Sequence, residues 1–248
     1  MTELAEKWFN GTDLGRYGLC TSAVSGVHDS GPGVIARQYV AGSDTPTDTI
    51  LRADLVAMVF NCAVYGDDHA DLIRKLKVLK PLMSHRLGWC EFRIEDRPGE
   101  RTLAASKGFP VKIDSIPYLQ TMVEFTWQLE RLGFWEDAEA QVATDPTSIN
   151  NTGDMACYPI FTCTAINAMG SGLHFHVGSS MWTYATALAP ADVLLINTEA
   201  MTCHKNGTLD MAGVDDDAVF PELAVGANTI SKSSADFTLG ASWRRKKE

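Results

Sequence analysis

Apolar and polar positions alternate with a period of two along much of this chain. Val123, Phe125, Trp127 and Leu129 fall on one face of Thr121–Leu129, and Met122, Glu124, Thr126 and Gln128 on the other. Strict alternation of this kind predicts a half-buried β-strand. Phe237, Leu239, Ala241 and Trp243 alternate in the same way with Thr238, Gly240 and Ser242, the pattern of a strand on the outside of a sandwich. The unbroken run Val193-Leu-Leu-Ile196 inside Asp192–Asn197 instead predicts a strand covered on both faces. Further strands are expected at Tyr17–Val24, Val34–Val40, Ile50–Val64 and Trp89–Glu95, with Met181–Tyr184 as another. A different period appears once. Leu72, Ile73, Leu76 and Leu79 recur at helical spacing behind Asp67-Asp68, whose carboxylates suit a helix N-terminus, and Pro81 should end or kink that helix.

Turn formers divide these elements. Asn206-Gly207, between two short polar-apolar stretches, supplies the two positive φ angles of a two-residue hairpin. Trp8–Leu14 ends in a turn, and Arg97-Pro-Gly-Glu100 reads as another. Ala138–Ala143 loses the alternating pattern, and Asp145-Pro-Thr-Ser148 with Asn150-Asn-Thr-Gly153 concentrates linker residues, so a boundary is expected between Glu136 and Thr152, near Asp145. The expected fold is mostly β with one main helix: an α+β N-terminal domain over residues 1–144 and a β-sandwich over 145–248.

Composition narrows the function classes. With 248 residues, 45% of them hydrophobic, the chain can build real cores. Its 21 basic and 31 acidic side chains leave a formal charge of −10, which disfavours general binding to the phosphate backbone of nucleic acid. No apolar run approaches a membrane span, and Met1-Thr-Glu-Leu-Ala-Glu-Lys7 lacks the basic start and apolar core of a signal peptide. A soluble protein made in the cytoplasm is expected. The six cysteines, Cys20, Cys62, Cys90, Cys157, Cys163 and Cys203, form no close CxxC pair and read as reduced, mostly buried thiols.

Candidate chemistry is sparse. His174 and His176 share one strand face, and Cys163, Cys203 and His204 lie in the same half, so zinc is conceivable. Leu173, Phe175 and Val177 nevertheless form the apolar face, which turns both imidazoles outward as surface polar groups. Gly170-Ser-Gly172 and Gly178-Ser-Ser180 lack the spacing of a nucleophile elbow and read as turns. Asp215-Asp-Asp217 lacks the spaced oxygen ligands of a calcium loop and reads as a solvated acidic loop. Trp182, Tyr184 and Trp243 could stack on sugar rings, although aromatics in a strand are more often core. Arg244-Arg-Lys-Lys247 reads as a solvated tail or, more sharply, as a segment docking on an acidic neighbour. No catalytic, cofactor-binding or metal residue is expected, and a carbohydrate-binding module is the rival reading.

In order along the last third stand Asn151-Thr-Gly-Asp-Met155, Tyr158-Pro-Ile, Asp192–Glu199, Asn206-Gly, Phe220-Pro-Glu-Leu, Gly226–Ile230 and Trp243-Arg-Arg. That succession resembles the C-terminal domain of distal tail proteins from long-tailed, non-contractile bacteriophages. The first half resembles the same family in Phe9–Leu14, in the Leu51–Val64 strand leading into the Leu-patterned helix, in Arg97-Pro-Gly, and in Tyr118, Phe125 and Phe134. Glu136-Asp-Ala-Glu-Ala140 departs from the family's pattern. The resemblance implies a virion structural protein at the distal end of the tail, without enzymatic activity or cofactor. It implies a homo-hexameric ring formed by the N-terminal domains, and a galectin-like C-terminal sandwich. Its implied partners are the tail tube protein on one side and tip, baseplate hub and receptor-binding proteins on the other. In such a ring, an open edge from Leu51–Val64 or from Thr121–Leu129 would pair with the neighbouring copy.

Overall fold

The computed structural model describes residues 7–27, 34–38, 47–52 and 55–247. The chain divides into two compact units, residues 1–136 and 137–247. The composition-based boundary at 144/145 would place Gln141–Thr144 in the first unit, but that strand pairs with Phe237–Trp243 in the second. Ser148–Asn151, inside the stretch expected to be linker, is also a strand and pairs with Gly226–Lys232.

In the first unit an antiparallel sheet runs in the order Thr12–Asp13, Lys7–Phe9, Trp89–Ile94, Glu100–Ser106, Met122–Arg131, Val56–Tyr65, Leu19–Ser25. Asn10 and Gly11, at φ 50° and 72°, make the hairpin turn between its first two strands. The expected Ile50–Val64 strand is two strands. Among the described residues Thr47–Arg52 pairs only with Val34–Gln38, whereas Val56–Tyr65 joins the main sheet, and a strand serving two different ladders must break between them. Tyr39, Val40, Ala53 and Asp54, which those expectations included, lie outside the described residues.

The helix spans His69–Leu82. Asp68 caps it by accepting a hydrogen bond from the Asp71 N–H at 2.8 Å, and the helix runs one residue past Pro81. Leu72, Leu76 and Leu79 are fully buried in a core that includes Phe9, Phe60, Phe92, Trp127 and Trp135. Burying each such leucine contributes roughly 1.5–3 kcal/mol, which is why the helical stripe settles on the sheet.

The second unit is a sandwich of two antiparallel sheets around one core. One holds, in order, Gln141–Thr144, Phe237–Trp243, Ile160–Ala165, Val193–Asn197, Thr202–Lys205 and Thr208–Leu209; the other holds Ser148–Asn151, Gly226–Lys232, Leu173–Val177 and Ser180–Tyr184. Phe161 of the first sheet meets Phe175 of the second with ring centroids 4.8 Å apart. Asn206 and Gly207, at φ 51° and 84°, make the expected hairpin turn. The Val193–Asn197 strand departs from expectation. Leu194 and Ile196 are buried, but Leu195 is 43% exposed, so the sheet is covered on one face there. An apolar run alone does not say how many faces are covered. Phe237–Trp243 buries one face as expected, and it lies between Gln141–Thr144 and Ile160–Ala165.

Candidate interaction surface

The residues that sequence marked for chemistry do not converge. His174 is exposed and His176 half-buried, their rings 5.9 Å apart on the outer face of Leu173–Val177. Cys163 and Cys203 are buried in the core, and no cluster of three or more metal-ligating side chains exists among the described residues. Desolvation pushes the Cys203 thiol up to about 12 and the Cys157 thiol to about 11, so both are inert at neutral pH. All six cysteines are free thiols, and only Cys20 is exposed. Gly170-Ser171 and Gly178-Ser179 are turns. The acidic loop closes on itself, the Asp217 N–H donating to Asp215 Oδ1 at 3.0 Å.

The sugar-stacking candidates are mostly interior. Trp182 and Tyr184 are fully buried, their rings stacked at 6.5 Å, and the Tyr184 hydroxyl donates to Asp210 Oδ2 at 2.6 Å. Burial first and the Asp210 carboxylate second push the Tyr184 phenol upward. Trp243 is half-buried and packs against the second core.

The basic run Arg244–Lys247 is not a solvated tail. Arg245 donates to the Asp137 carboxylate from Nε at 2.6 Å and from Nη2 at 3.0 Å, and Arg244 Nη1 donates to the Asp137 carbonyl at 2.7 Å. Lys246 Nζ lies over the Tyr158 ring at 5.0 Å. A charge run carries no periodicity that could reveal such long-range partners. The departure at Glu136–Ala140 gains a reason here, since Asp137 receives Arg245 and Glu136 receives Arg101 at 2.7 Å.

Of the two strands whose edges were expected to be open, Val56–Tyr65 is paired on both sides, with Leu19–Ser25 and Met122–Arg131. Met122–Arg131 is different. Its second partner, Glu100–Ser106, meets only the Leu129–Arg131 end of it; Lys107 then donates from its N–H to the Gln128 carbonyl at 2.9 Å, and the chain turns away.

Beside that strand lies a groove that the sequence did not reveal. Three adjoining hollows of about 620, 430 and 600 Å³ share Phe109 in their walls. They are built by the C-terminal end of the helix, the 3-10 turn His85–Leu87 and the segment that follows Ser106. Lys77, Lys80, Arg86, Lys107 and Lys112 line them, against one carboxylate, Asp114. Lys107 is paired with Glu130. The other four cations make no ion pair among the described residues. These residues come from segments some thirty positions apart in sequence, which is why no local motif announces them.

Among known proteins, residues 152–246 match the family model described as siphovirus-type tail component, C-terminal domain. The fold is similar to that of the SPP1 Dit protein, described as a paradigm of the hub adsorption apparatus in phages infecting Gram-positive bacteria. The likeness has a TM-score of 0.75 at 15% identity and covers 97% of this chain and 98% of that one. Chains of the activated phage p2 baseplate are similar at 9% identity with a TM-score of 0.49, and at 8% with 0.47, scores that add nothing to the first. No curated protein sequence matches the chain. The resemblance to distal tail proteins thus holds in sequence over residues 152–246 and in fold over nearly the whole chain.

Proposed function

We propose that this protein is a structural component of the distal tail of a long-tailed, non-contractile phage, assembling as a hexameric ring. In this reading the ring joins the tail tube to the tip or baseplate hub and to receptor-binding proteins. The match of residues 152–246 to the tail-component domain, together with the whole-chain fold likeness, carries the reading. The first unit, a sheet backed by one helix, builds the ring, and the second, a galectin-like sandwich, faces the receptor-binding apparatus. Neither catalysis nor a cofactor is part of the role. What supports a purely mechanical part is chemical: the buried thiols are held protonated, the paired histidines lie on the outer face of their strand with no metal-ligating cluster among the described residues, and both serine-bearing Gly-rich stretches are plain turns.

The sugar-binding alternative loses its main residues, because rings buried inside a core cannot stack on a glycan. No helix among the described residues is long and apolar enough to cross a membrane. The proposal places the protein in the virion, after synthesis in the host cytoplasm. Light scattering across a concentration series, with negative-stain micrographs of the same samples, tests the ring. Six-fold rings, or trimers and hexamers in exchange, are expected; a symmetric dimer would overturn it.

A further inference from the structure

The basic groove has a counterpart in the same unit. The hairpin Trp89–Ile94/Glu100–Ser106 begins and ends at the groove, since Leu87 leads into its first strand and Lys107 follows its second. At its other end, six residues or roughly 20 Å away, is the turn Glu95–Gly99, closed by the Glu100 N–H donating to the Arg97 carbonyl at 3.2 Å. Glu95, Asp96 and Pro98 of this turn are exposed. Arg97 is not available to neutralise them. Its guanidinium folds back to Glu100 at 3.2 Å and over the Trp135 ring at 5.3 Å. Glu95 and Asp96 themselves make no ion pair among the described residues.

We propose that the groove around Phe109 receives the Glu95–Gly99 turn of a second copy of this chain, a head-to-tail contact that deepens the ring reading above and rests on it. Charge favours this occupant. Lys77, Lys80, Arg86 and Lys112 make no ion pair among the described residues, and the turn offers two unmatched carboxylates beside Pro98, which suits the Phe109 ring that lines all three hollows. Groove against groove would set cation against cation, so the groove does not pair with its own copy. Each copy carries one groove and one turn at opposite ends of one hairpin. Two different neighbours can thus be engaged through the same contact, the arrangement a heterologous ring interface requires, whereas reciprocal pairing would close a dimer.

The test uses two charge-reversed forms of the full chain: E95K/D96K, with a basic turn and basic groove, and K80E/R86E, with both acidic. All four side chains are exposed, and circular dichroism confirms folding. Each form alone should lose association by roughly tenfold or more. Mixed in equal amounts, every turn again meets a groove of opposite sign, so the wild-type mass should return, and added salt should dissolve it. Rings that persist in both single preparations overturn the contact and leave the ring reading standing. A dimer that follows the charge swap keeps the contact and sinks the ring. A mixture that stays as dissociated as its parts, or a wild-type chain that never self-associates, overturns the contact.

Discussion

Asp137 is the residue on which the second unit closes. Burial alone would push its carboxyl up, but the hydrogen bonds from the Arg245 guanidinium and backbone outweigh burial and hold it below the ordinary carboxylate range. A carboxylate whose folded value is depressed stabilises the fold at pH above its unfolded value of about 3.9; that contribution is lost as pH falls through the folded value. The melting temperature of Asp137→Asn should therefore change less than wild type's on acidification below about pH 4. At neutral pH the variant should be less stable by about 1–3 kcal/mol, discounted because Arg245 is partly exposed. Identical acid slopes would show that another carboxylate dominates. The partner of Asp137 sits 108 residues away, a distance at which local sequence says nothing about pairing. The same holds for Trp182 and Tyr184, where alternation marks a shared face without saying that this face is inward.

Elements were legible where their signal is local. The helix shows through its leucine spacing and the Asp68 cap, and the Asn206-Gly207 hairpin through a turn type that demands positive φ at both positions. Ladder partners were not legible, which is why one expected strand proves to be two and why a stretch rich in turn formers hides Ser148–Asn151. Asn151 explains part of that disguise. It is fully buried and donates from Nδ2 to the carbonyls of Met155 and Leu223, so a turn-forming residue serves as a polar clip inside a sheet. Gly172 illustrates a packing demand of the same kind. It adopts φ 73°, and a Cβ there would stand 1.8 Å from the Tyr184 carbonyl oxygen. Gly172→Ala should cost on the order of 3 kcal/mol or more in denaturant unfolding, against about 1–2 kcal/mol for Gly178→Ala, where φ is 58° and the space is open. Equal losses at the two sites would mean that backbone strain, not the close approach, sets the cost.

For the molecule as a whole, two separate cores predict two units able to fold apart, one around Phe60, Trp127 and Trp135, the other around Phe161, Phe175 and Trp182. A fragment starting at Asp137 should give a cooperative melt and dispersed amide spectra. One starting at Asp145 loses the Gln141–Thr144 strand and leaves Arg245 without its carboxylate. It should be weaker by on the order of 3 kcal/mol. Fragments of equal stability would show that neither the strand nor the ion pair matters to the sandwich. The groove around Phe109 was invisible at every scale of the sequence, because it is made where a helix end, a 3-10 turn and a loop meet.

The Asp137 N–H donates to the Arg245 carbonyl at 3.1 Å, so the first residue of the second unit touches one of its last. A domain whose two ends meet occupies a single point along whatever polypeptide carries it. Such a sandwich can be re-opened at Asn206-Gly207 with its old ends joined, a permutation that removes no residue from either of its sheets.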